Sequence, residues 1–97
     1  EDFYSRVLAK NPQDALALHG RADACRMNNE HELAIGFYTR AIELDPREPR
    51  LYLGRGKSYL KLNEVEKATA DFQKVPTVTD KLHLKRQAEE LIRNLIP

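Results

Sequence analysis

A spacing of 34 residues recurs along this chain, and few architectures accommodate it. Tyr4, Tyr38 and Phe72 fall at that interval, as do Val7, Ala41 and Val75. The pairs Pro12/Pro46, Leu18/Tyr52, Gly20/Gly54, Ala22/Gly56, Cys25/Tyr59 and Ala34/Ala68 keep the same separation. So many matches at one offset require an internal repeat, clearest at residues 34–46. A unit of this size packs mainly on its neighbours, so the chain need not close a single globular core.

The period inside each unit is helical. Phe3, Tyr4, Val7 and Leu8 lie on one side of a short helix over 2–10, which Asn11-Pro12 ends. A proline disfavours helical backbone at the residue before it, and Asp45-Pro46 marks the equivalent boundary one unit later. Asp14 is the N-cap expected for a second helix that carries Leu18, Ala22 and Cys25 to about Met27. Asn28-Asn29 then turns the chain into a third helix starting at Glu30 or His31, whose buried face reads Leu33, Ala34, Phe37, Tyr38, Ala41 and Ile42. The plan repeats in 50–62 (Leu51, Tyr52, Gly56, Tyr59), a turn at Asn63, and 64–74 (Val65, Ala68, Phe72). Ala22, Gly56, Ala34 and Ala68 are small where the helices of each hairpin cross closely.

These residues resemble the tetratricopeptide repeat, a 34-residue helix-turn-helix unit with a large residue, a small residue and an aromatic on its first helix and Ala, aromatic, Ala, Pro on its second. The first full unit supplies Leu18, Ala22, Cys25, Ala34, Tyr38, Ala41 and Pro46. The second supplies Tyr52, Gly56, Tyr59, Ala68, Phe72 and Val75, without the terminal proline. The resemblance implies an all-α fold of antiparallel helix pairs stacked as a right-handed solenoid. Residues 1–12 would be the second helix of a partial repeat, 14–47 the first full repeat and 48–76 a shortened second repeat. Glu1 falls where a second helix begins and no Met start precedes it, so a piece of a longer protein is expected.

Two departures from the repeat shape the C-terminal end. Pro76 occupies the position of Ile42, inside a helix, and is expected to stop that helix early, leaving 77–79 as a link and Asp80 as a cap. Moving Tyr52, Gly56 and Tyr59 on by 34 lands on Arg86, Glu90 and Arg93, which cannot form a packing face, whereas 32 lands on Leu84, Ala88 and Leu91, with Leu95 continuing the line. A last helix within 80–96 therefore caps the second repeat, packing as the first helix of a further unit would.

Composition narrows the function. Charged residues make up 32% and hydrophobic ones 41%, which suits amphipathic helices rather than disorder. With 16 basic and 15 acidic residues the net charge is +1, too near neutral to draw nucleic acid or an anionic membrane, and the aromatics sit at packing positions. The charge is unevenly spread: residues 14–48 carry net −3 and residues 49–79 net +3. No apolar run reaches the roughly 18 residues of a membrane span. The single cysteine excludes an intrachain disulfide and is compatible with a reducing compartment, which favours the cytoplasm without fixing it.

No catalytic, metal or cofactor constellation stands out. His19, His31 and His83 lie in different elements and read as surface or groove residues, and Cys25 as a small core residue. Gly20, Gly54 and Gly56 lie within helices and form no phosphate loop. The resemblance points instead to a concave groove lined by the first helix of each unit. Its candidate residues are His19, Asp23, Arg26 and Met27 in one unit, Arg50, Leu53, Gly54, Lys57 and Lys61 in the next, and Arg86 and Arg93 on the last helix, with Gly20 and Gly54 leaving the floor open. The implied function is a non-enzymatic scaffold for an acidic or C-terminal peptide, or a partner helix. A structural module that self-associates, or docks on the rest of its own chain, is the alternative. The carboxylate clamp by which some tetratricopeptide domains hold chaperone tails would map to Leu16, Gly20, Gly54, Leu82 and Arg86, where only Arg86 fits.

Overall fold

The computed structural model describes residues 3–11 and 13–95; the expected helix start at residues 1–2, the stop at Pro12 and the last helix's end at residue 96 lie outside the described residues. Its elements are α1 (Phe3–Lys10), α2 (Ala15–Met27), α3 (His31–Leu44), α4 (Pro49–Lys61), α5 (Val65–Val78) and α6 (Leu82–Arg93). Each helix packs on the next in the chain, and α2 also meets α4 as α4 meets α6. Two antiparallel pairs, α2/α3 and α4/α5, are thus stacked between α1 and the capping helix α6, in a body measuring 44 × 28 × 18 Å.

Local chemistry sets the ends of these helices. The Asp14 carboxylate accepts the Ala17 N–H at 2.9 Å, satisfying one of the open donors of α2. Pro49 starts α4, where its missing N–H costs nothing, and Glu48 accepts the Arg50 N–H at 3.1 Å. Both tight turns reverse through an asparagine in the left-handed region, Asn29 at φ 63° and Asn63 at φ 62°. The next N–H reaches back five residues in each case: Glu30 to the Cys25 carbonyl at 2.8 Å, and Glu64 to the Tyr59 carbonyl at 2.9 Å.

The core is a column running between helices. Leu18, Ala22, Cys25, Ala34, Tyr38, Ala41 and Leu51 form one buried cluster. Tyr52, Leu53, Ala68, Phe72, Val75, Leu84 and Ala88 form the second. Leu51 and Tyr52 are consecutive, so α4 packs against both sides, and Ile42 touches both clusters. Within the second pair an added Cβ at Gly56 would come within 2.4 Å of the Phe72 ring, which explains the small residue at that crossing. Leu84 and Ala88 are buried while Arg86, Glu90 and Arg93 are exposed, so α6 adopts the face given by an offset of 32.

Several expectations are corrected. Helix α5 does not stop before Pro76; it runs to Val78 and has the same 14 residues as α3. A proline so close to a C-terminal end removes one backbone hydrogen bond only, while buried Phe72 and Val75 hold the turn against the core. The second repeat is accordingly not shortened, and the link to α6 is residues 79–81. Asp80 is not the cap: Lys81 takes that place, its N–H bound by Thr79 Oγ1 at 3.1 Å. Leu33 and Val65, assigned to packing faces, are exposed; in α3 the buried face runs through His31, Ala34, Tyr38 and Ala41, which leaves Leu33 to one side. Of the histidines read as surface or groove residues, His31 is largely buried yet borders a cavity, its Nδ1 lying 3.2 Å from Oγ of the fully buried Ser58.

Candidate functional site

Because α2, α4 and α6 are adjacent, residues on their shared side line a continuous cleft. His19, Asp23 and Arg26, spaced four and three along α2, face Arg50, Leu53, Gly54 and Lys57 of α4. Leu84 and Gln87 of α6 close the third side of this cavity of about 200 Å³. A second cavity of about 420 Å³ continues along the same helices past Arg26 and Lys57, which line both. Met27, Leu60, Lys61 and Leu91 form its walls, with Asn29 and His31 at the turn.

The first cavity is floored by one polar network. Tyr38, buried in α3, donates its hydroxyl proton to Asp23 Oδ1 and accepts from Arg26 Nε at 2.9 Å. His19 Nε2 lies 3.3 Å from Asp23 Oδ2, and an Arg26 terminal nitrogen lies 3.7 Å from Asp23 Oδ1. Three neighbours thus converge on one carboxylate. Burial pushes the Asp23 carboxyl upwards, but the hydrogen bonds from His19 and Tyr38 and the charge of Arg26 outweigh it and leave the pKa lowered. The hydrogen bond to Asp23 raises His19 against a smaller opposing effect of burial. Tyr38 is driven well above the ordinary phenol value, first by burial and then by Asp23, so it remains a proton donor.

Lys57 differs from these residues. No ion pair of Lys57 occurs among the described residues, and burial followed by repulsion from Arg26 lowers its pKa. Arg50 leans on Glu48 at 3.7 Å, outside the cleft lining. The cleft therefore holds the cations of Arg26, Arg50 and Lys57 against a single carboxylate that is already engaged.

Nine of the eleven residues expected in the groove line these two cavities: His19, Asp23, Arg26, Met27, Arg50, Leu53, Gly54, Lys57 and Lys61. Arg86 and Arg93 line neither; α6 is turned so that Leu84, Gln87 and Leu91 border the cleft instead. The glycines do not leave the floor open. A Cβ at Gly54 would stand 2.4 Å from the Tyr38 ring, and one at Gly20 would stand 2.1 Å from the Tyr4 ring, so each glycine seats an aromatic of the preceding helix. A longer clamp residue at either position would displace that ring. Gln87 carries no sequence signal, and Tyr38 reads as a packing aromatic. The clue to its polar role is that Asp23, Arg26 and Tyr38 are replaced together, by Lys57, Leu60 and Phe72, one repeat later.

Among the described residues no group of three or more His, Cys, Asp or Glu could hold a metal ion, and no helix is long and apolar enough to cross a membrane. Residues 22–63 match the family model described as TPR repeat. The chain is similar to a protein SGT1 homolog from Oryza sativa subsp. japonica, 33% identical over 66 residues, covering 68% of this chain and 18% of that protein. It is 43% identical over 90 residues to a Giardia intestinalis UDP-N-acetylglucosamine–peptide N-acetylglucosaminyltransferase, covering 75% of this chain and 6% of that protein. To Homo sapiens serine/threonine-protein phosphatase 5 it is 33% identical over 76 residues, covering 78% of this chain and 15% of that protein. The chain thus spans less than a fifth of the length of each of these relatives.

Proposed function

Since the chain belongs to the tetratricopeptide-repeat family, whose repeats mediate protein–protein interaction, we propose that it is a non-enzymatic scaffold whose α2–α4–α6 cleft receives an acidic peptide segment or a C-terminal carboxylate. The observation that carries this reading is the charge inventory of the cleft. Arg26, Arg50 and Lys57 line it, and Asp23 is already shared by His19, Tyr38 and Arg26. Lys57 has no ion pair among the described residues and its charge is repelled by Arg26, so an entering carboxylate would relieve that cost. Lys57 and Lys61 sit one helical turn apart on α4, on the walls of the cleft and its extension, so they steer an acidic chain along it. The catalytic names of two relatives describe proteins many times longer than this segment, and the role proposed here is binding.

The test uses a fluorescein-labelled peptide of ten residues rich in glutamate, followed by anisotropy at two salt concentrations. The parent chain is expected to bind it with an affinity that falls as salt rises, and the Lys57→Glu/Lys61→Glu double variant to bind at least about tenfold more weakly, the loss of roughly 1.4 kcal/mol. Equal affinity of parent and variant, with unchanged far-UV dichroism, would remove the groove from the account.

A further inference from the structure

We infer that Lys57 is a nucleophilic amine, the point at which an acyl thioester transfers its acyl group to this chain and so discharges the cleft. The surroundings of the side chain carry this. Lys57 lies on α4 where the two cavities meet, and it lines both of them. It is half-buried, and it makes no ion pair among the described residues. Among those residues the one carboxylate lining the two cavities is Asp23, which is taken up by His19, Tyr38 and Arg26.

An ammonium is stabilised by water or by a counter-ion, and Lys57 is short of both while the Arg26 guanidinium borders the same two cavities. Its pKa moves accordingly: burial lowers it, repulsion from Arg26 adds to that, and Asp23 opposes them with a smaller effect. Desolvation and a neighbouring cation are the two ways a protein activates a lysine as a nucleophile, and both act here. Neither arrangement recurs at Lys61, which is exposed one turn further along α4, or at Lys67, which pairs with Glu64 at 3.4 Å.

In the transfer, neutral Lys57 Nζ attacks the thioester carbonyl carbon. A C–N bond forms, the C–S bond breaks, and the thiolate leaves with the electron pair and takes up, through solvent, the proton that the amine gives up. The product is a neutral amide. Leu53 and Leu84 in the first cavity and Leu60 and Leu91 in the second give a short acyl chain apolar surface to rest on. The cleft is left with the cations of Arg26 and Arg50, so acylation weakens the hold on an acidic segment, a consequence that rests on the reading proposed above.

The test incubates the folded chain with the acetyl thioester of N-acetylcysteamine at about pH 8, then caps the remaining amines in denaturant with deuterated acetic anhydride. Mass spectrometry of chymotryptic peptides, which separate Lys57 from Lys61 at Tyr59, gives the light-to-heavy ratio at each lysine. Lys57 is expected to acetylate about threefold or more faster than Lys61, its larger neutral fraction outweighing its lower basicity. In urea, where the cleft is gone, the two are expected to react alike. Equal or slower labelling of Lys57 in the folded chain overturns the inference, and so does a lead that survives in urea, which traces it to local sequence instead of the cleft. Lys57→Gln, neutral as the amide is, is expected to bind the glutamate peptide about threefold more weakly than the parent. Equal binding overturns the discharge of the cleft as a switch. If the parent itself does not bind that peptide, the acidic-groove reading fails, while the labelling ratio still decides whether Lys57 is the nucleophile.

Discussion

Tyr38 is the residue on which the most depends, because its ring and its hydroxyl serve different neighbours. The ring fills the space above Gly54 and the hydroxyl joins Asp23 to Arg26. Gly54→Ala is expected to destabilise the chain by about 1–3 kcal/mol, since the new methyl must push a fully buried ring out of its seat. Urea denaturation measures this, and an unchanged midpoint would show that the ring has room to move. Gly20 and Gly54 could be recognised in the sequence as matched small residues, but not what fills the space over them. That depends on which side chain a neighbouring helix brings across, a relation no single-helix periodicity encodes.

At the scale of the helices, Pro76 separates propensity from packing. The sequence places a helix breaker at a helical position, and local preference alone argues for termination. The structure continues α5 to Val78 because Phe72 and Val75 are wholly buried and the segment after Pro76 is less than one turn. Pro76→Ala is therefore expected to stabilise by about 1–2 kcal/mol. The regained helix propensity is worth up to about 3 kcal/mol, offset by the greater freedom of the unfolded chain. Thermal unfolding should show a higher midpoint; a lower one would mean that the proline is needed to aim the link at α6. The other element-level features were legible. Asp14 as a cap, the two asparagine turns and the changed register of α6 all follow from short-range chemistry or from counting apolar positions. The exact rotation of α6 was less so: the offset predicts which residues pack, yet Arg86 and Arg93 fall outside the two cavities and Gln87 falls inside one.

Across the whole molecule, a second polar tie joins three helices away from the groove network. Arg55 on α4 makes two hydrogen bonds to Asp71 on α5, at 2.9 and 2.8 Å, and one to Thr39 on α3 at 3.1 Å. It thereby holds its own repeat together and fastens it to the preceding one. The Asp71 side chain is only 6% exposed, so Arg55→Leu, which strands that carboxylate, is expected to cost about 3–5 kcal/mol in chemical denaturation. Adding Asp71→Leu should recover most of the loss, and failure to recover it would mean that the Thr39 contact and the packing of Arg55 over the Tyr59 ring matter more than the ion pair. Neither partner is predictable from the repeat alone, since Arg21 stands at the equivalent position of the first unit but faces Phe37. The shared architecture could be read from one period, whereas its polar ties belong to individual repeats.

The glycine seat beneath Tyr38 has a mechanical consequence for anything that binds. One rigid ring, held at its tip by α2 and lodged against α4, sets the gap between two walls of the cleft. Widening that gap means drawing the ring out and breaking its hydrogen bonds together, so the walls resist spreading. If the cleft binds as proposed above, a pocket this stiff would spend little of the interaction energy on its own rearrangement and leave a flexible partner to surrender most of the freedom that is lost.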